Sequence, residues 1–87
     1  MHGVYMAIRI RLKELVAEKE YREGRVVTMK EISTQTGIHR VTLSKIAHNR
    51  AQNVGTETID RLCKFFGCRI EELLEFVDDE NREGDTD

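Results

Sequence analysis

A chain of 87 residues is enough for one compact domain and too little for two. Its 39% hydrophobic residues suffice for a single core and its 34% charged residues for a solvated surface, while no apolar run approaches the roughly 18 residues of a membrane span. The net charge of −2 argues at first against a polyanionic partner, but residues 1–50 hold ten Lys and Arg against five Asp and Glu, and residues 51–87 hold four against eleven.

That division gives balances of +5 and −7, and between Ile32 and Thr56 there is no acidic side chain at all, while Arg40, Lys45 and Arg50 are present. A surface free of carboxylates is what close approach to phosphates requires. Cys63 and Cys68 lack C-x-x-C spacing, and only His39 and His48 could join them as ligands, so reduced thiols near a core are expected and no metal. No cofactor and no small-molecule ligand is expected. The start of the chain carries no basic-then-apolar leader, which makes a cytoplasmic location the expectation.

In chain order, residues 7–12 alternate apolar and basic side chains with period two, which predicts a short strand near residues 5–11. Ile8, Leu12, Leu15 and Val16 also share a helical face, so one helix starting near Ile8 is the alternative. Helical spacing from Leu12 predicts a first helix to about Tyr21, with Gly24 as the turn residue of the connection that follows. Thr28 followed by Glu31 at the third helical position reads as a reciprocal capping box for a second helix, Met29 to Thr36. Gly37 is placed to end that helix in the left-handed region.

A third helical stretch runs from about His39 to His48, with Asn49 as its stop. The buried set expected for this pair of helices is Ile32, Ser33, Ile38, Leu43 and Ile46. After a polar loop, Ala51 to Gly55, Thr56 is expected to cap a fourth helix striped by Ile59, Leu62, Cys63 and Phe66, with Gly67 ending it. A last short helix, Arg69 to Leu74, is expected to turn Ile70, Leu73 and Leu74 inward. The acidic stretch 78–87 reads as a disordered tail.

Two short helices meeting at Gly37, with a small residue, Ser33, at their crossing, leave the second with a projecting face of His39, Arg40, Val41, Ser44, Lys45 and His48. A projecting helix fits the major groove, about 12 Å wide, where each base pair shows a distinct pattern of donors and acceptors. The run from Thr28 to Ile46 resembles the helix-turn-helix of the Cro/repressor (XRE) family. The run from Glu57 to Leu74 resembles that family's fourth and fifth helices. The resemblance spans roughly residues 10–77 and implies an all-α, compact five-helix lambda-repressor-like DNA-binding domain, with a small terminal β-ribbon as an option. On this reading residues 1–77 form the domain and the motif covers about 29–50.

The resemblance implies base reading by Arg40, Val41, Ser44 and Lys45, and contacts to the DNA backbone by Thr28, His39, Thr42, His48, Arg50 and Asn53. By chemistry Arg40 suits guanine, Lys45 guanine or phosphate, and Val41 a thymine methyl. Met29 stands where the family usually has glutamine. The implied function is a sequence-specific transcriptional regulator, no enzyme, that binds double-stranded DNA as a homodimer. The pairs Ile8/Ile10 and Phe76/Val77 are candidates for the dimer surface. The alternative is an antitoxin or adaptor that uses the same fold to bind protein. RNA is disfavoured, because the projecting face has no aromatic on which a base could stack.

Overall fold

The computed structural model describes residues 8–50 and 53–77. The chain runs β1 (Ile8–Ile10), α1 (Leu12–Glu23), α2 (Met29–Thr36), α3 (Arg40–Ala47), α4 (Thr56–Phe66), α5 (Ile70–Leu73) and β2 (Leu74–Phe76). The expected strand is present from Ile8, and the single helix beginning there is not formed; residues 5–7 of that expectation, Ala51 of the loop and the acidic stretch 78–87 lie outside the described residues. β1 and β2 form an antiparallel ribbon with Ile8 opposite Phe76, Arg9 opposite Glu75 and Ile10 opposite Leu74. Pleating therefore puts the four apolar side chains on one face and the Arg9–Glu75 pair on the other.

Eleven apolar residues make one core: Leu12, Leu15, Val27, Ile32, Ile38, Leu43, Ile46, Ile59, Leu62, Phe66 and Leu73, and no polar side chain is buried among the described residues. Every helix contributes to it, and Ile38 contributes from the turn between α2 and α3. Two expectations about burial are corrected. Ser33 is half-buried, enough to let α2 and α3 approach but not part of the core, and Ile70 is 54% exposed. α5 is a single turn, so only Leu73 can face inward while Ile70 lies at its outer edge, and Leu74 has already left the helix for β2.

Four helices finish at a residue of positive φ: Gly24 after α1, Gly37 after α2, Asn49 beyond α3 and Gly67 after α4. The left-handed residue at 24 lets α1 run two residues past the expected end at Tyr21. Beyond α3, the N–H groups of Asn49 and Arg50 donate to the carbonyls of Ile46 (3.1 Å) and Lys45 (2.7 Å), which is how a Schellman ending satisfies the last carbonyls of a helix. At the other ends two expectations shift. His39 precedes α3 as its cap rather than starting it, and Gly55 takes the capping place before α4 that Thr56 was expected to hold.

The turn between α2 and α3 sets where α3 points. Gly37 has φ 78°, and its N–H donates to the Ser33 carbonyl at 2.8 Å. The Thr36 hydroxyl donates back to the Ile32 carbonyl (2.6 Å) and accepts from the Ile38 N–H (3.1 Å), so one side chain fastens both sides of the turn. Arg61 of α4 covers it, donating to the Thr36 carbonyl at 3.4 Å while paired with Glu57. A Cβ built on Gly37 would meet only the Arg61 guanidinium, at 3.4 Å, so there is room for a side chain and the obstacle is the backbone conformation. Gly37→Ala should therefore lower the unfolding free energy by about 1–2 kcal/mol in urea titrations, the cost of left-handed backbone for a residue with a Cβ. Thr36→Val should cost about 1–3 kcal/mol in the same measurement, because it leaves the buried Ile38 N–H without its partner.

Candidate nucleic-acid interface

α3 turns Leu43 and Ile46 into the core, with 0% and 1% exposure. At 3.6 residues per turn, Arg40, Ser44, His48, Val41 and Lys45 then fall in that order across an arc of about 140° on the opposite side. All five are exposed, while Thr42 and Ala47 flank the arc half-buried. The four expected base readers are thus brought together on one face. Val41, 55% exposed, is an apolar side chain held in solvent on a helix that buries two others.

The expected backbone contacts surround this face, each with its own local chemistry. Thr28 caps α2, its hydroxyl oxygen accepting from the Glu31 N–H at 3.1 Å, which leaves the hydroxyl proton free to donate. His39 caps α3 through Nδ1, which accepts from the Val41 N–H at 3.2 Å. That tautomer carries its proton on Nε2, and Nε2 is therefore a donor. His48 is the reverse. Its Nδ1 lies 2.8 Å from the Ser44 carbonyl, which can only accept, so Nδ1 holds the proton and a neutral ring has only a lone pair left at Nε2. Donation outward from Nε2 therefore requires the imidazolium. Thr42 is half-buried beside the arc, and Arg50 and Asn53 are exposed in the loop beyond α3, Asn53 at φ 57°.

Charge separates this surface from the remainder of the molecule. Ion pairs hold Arg9 to Glu14 and Glu75, Lys19 to Glu23, Arg25 to Glu23 and Glu31, Arg61 to Glu57, Lys64 to Asp60, and Arg69 to Glu71. Arg40, Lys45 and Arg50 make no ion pair among the described residues, because the segment they occupy contains no acid. The expected reciprocal capping box is only half made. Glu31 turns away from the Thr28 N–H and takes both Arg25 guanidinium nitrogens at 2.8 Å. Arg25 holds the Glu31 carboxyl below the usual carboxylate range, and Lys19, with Arg25, does the same for Glu23. Glu31, in the first turn of α2, is therefore ionised and already neutralised by its partner.

Sequence reasoning missed the Thr36 clasp, Arg61 over the turn and the Arg25–Glu31 fork, since each depends on contacts between helices that spacing does not encode. It also passed over Lys30, exposed in the first turn of α2 and without an ion pair among the described residues, although its place two residues after Thr28 is a readable signal. Met29 packs against the core, so no polar donor replaces the glutamine usual there. Cys63 and Cys68 are free thiols, and burial with the neighbouring Cys63 pushes Cys68 up to about 11. Among the described residues no group of three His, Cys, Asp or Glu is placed to hold a metal, and no helix is long and apolar enough to cross a membrane.

Two helices of eight residues, a left-handed glycine between them and a projecting second helix form the arrangement that reads a major groove. The family model of the Cro/C1-type HTH DNA-binding domain matches residues 10–79, from the ribbon through all five helices. Comparison with curated proteins and with solved structures gives no match. The matched span and the fold agree in extent, and the chain belongs to the Cro/C1-type helix-turn-helix DNA-binding family.

Proposed function

We propose that the protein is a sequence-specific transcriptional regulator of the cytoplasm that binds double-stranded DNA as a homodimer, with α3 of each copy in the major groove. The observation that carries this reading is the face of α3. It gathers Arg40 and Lys45, which make no ion pair among the described residues, with Ser44 and exposed Val41 in a segment devoid of carboxylates, while Arg9, Lys19, Arg25, Arg61, Lys64 and Arg69 are engaged with acids. Arg40 stands in the first turn of α3, where the helix dipole disfavours a cation. A guanidinium kept at that terminus without an acidic partner is suited to a ligand that supplies the acceptor.

In this reading Arg40 pairs with a guanine edge, Val41 packs on a thymine methyl, and Lys45 and Ser44 complete the base contacts. Thr28, His39, Thr42, Arg50 and Asn53 hold the phosphates on either side, and His48 joins them when protonated. Two copies related by a two-fold axis would place their α3 helices in successive major grooves, roughly 34 Å apart, on a near-palindromic site.

Selection of sites from random duplex DNA, with affinity then followed against salt, tests the proposal. An enriched inverted repeat and a steep salt slope support it; no enrichment at low salt overturns it in favour of an antitoxin or adaptor that binds protein. Arg40→Ala should weaken binding by about 1–3 kcal/mol and relax preference at one base pair of each half-site. Arg50→Ala should weaken all sequences alike and reduce the salt slope by about one unit. Both are measured by fluorescence anisotropy on the selected site and its single-base variants.

A further inference from the structure

The apolar face of the ribbon is covered at one end only. Ile10 and Leu74 pack against the core, while their neighbours on the same face, Ile8 and Phe76, are 50% and 70% exposed. Beside them opens a groove of about 630 Å³ lined by Ile8 and Ile10 of β1, Ile59 and Cys63 of α4, Cys68, and exposed Ile70 of α5. Of the six large apolar residues that are exposed among the described ones, Ile8, Ile70 and Phe76 gather at this end of the molecule. Phe76 stands on the groove side of the ribbon but does not line the groove.

We infer that this groove and Phe76 form the contact between two copies of the chain, the Phe76 ring of each seated in the groove of the other. The inference rests on the dimeric reading proposed above and names its surface. A two-fold contact requires a knob and a hole on the same patch of one molecule, and Phe76 and the groove meet that requirement. A patch that meets its own copy must also not repel it. The one charged side chain lining the groove among the described residues, Asp60, is paired within the chain, with Lys64 at 3.0 Å.

The acidic stretch that follows the ribbon fits the groove less well. Residues 78–87 carry six acids and one arginine, unsuited to an apolar cleft.

The test compares the full chain with Phe76→Glu by sedimentation velocity across the micromolar range, free and on a duplex with two half-sites, with Tyr21→Glu as control. Tyr21 is 92% exposed on α1 and outside the groove. The expected result is a dimer dissociation constant raised about thirtyfold or more by Phe76→Glu, the effect of losing a central aromatic anchor, with circular dichroism unchanged and Tyr21→Glu without effect. The two native thiols give a second readout. Alkylation of Cys63 and Cys68 by iodoacetamide should slow as the concentration of the unaltered chain rises, and not for Phe76→Glu.

A Phe76→Glu chain that dimerises like the original overturns the groove and leaves the dimeric reading standing. An original chain that is monomeric both free and on the two-half-site duplex overturns both. Alkylation that is slow at every concentration, and fast only once residues 1–7 are removed, assigns the groove to that segment and overturns the proposal.

Discussion

The direction of α3 depends on the five residues from Ser33 to Gly37 and on the Ile38 that follows. An α-helix that ends must do something with its last carbonyls, and here they are taken by the Gly37 N–H, the Thr36 hydroxyl and the Arg61 guanidinium. The same hydroxyl holds the Ile38 N–H, which sends Ile38 under the turn into the core. With both ends of the turn held, the buried stripe of α3 has one way to face, and its outward arc follows. The orientation of the DNA-facing side chains is set by hydrogen bonds that none of them makes.

Electrostatics works by allocation. The domain carries acids in α1, α2 and α4, and Glu23, Glu31 and Glu57 among them are spent on cations of their own. The fork between Arg25 and Glu31 is exposed, and pairs of that kind add little to stability in water. Its effect is on the field: it removes a negative charge from the end of α2 where the backbone N–H groups and Thr28 are turned outward. Eleven of the sixteen acids lie in residues 51–87 and none between Ile32 and Thr56, so the net negative charge does not describe the segment that carries α3.

Most of the fold was legible in the sequence because its signals are local. Threonine before a helix, glycine after one and apolar residues three and four apart specify α2, α3 and α4 to within a residue or two. The ribbon was readable from the alternation in Ile8-Arg9-Ile10 and from the apolar pair Phe76/Val77, while the start of β2 at Leu74 was hidden in a segment that reads as a helix end. The errors share a cause. Thr56 and Gly55 can each cap a helix, Glu31 can bond its own cap or a distant arginine, and Ile70 is apolar whether or not a neighbour covers it. Each is decided by geometry between elements. The outward arc of α3 was legible for the opposite reason, since a helix with two buried positions fixes its exposed ones by period alone.

The interior of this domain contains no buried polar side chain among the described residues, and helix lengths are set at their ends by residues of positive φ. The framework therefore draws nothing from Arg40, Val41, Ser44 or Lys45. Exposed positions that make no contact with a core change folding free energy by only a few tenths of a kcal/mol when substituted. On the function proposed, the text these four residues would read can be rewritten by mutation without a stability debt. A gene encoding this framework can be copied and each copy turned to a new DNA sequence, so that a repertoire of operators diverges while the scaffold stays as it is.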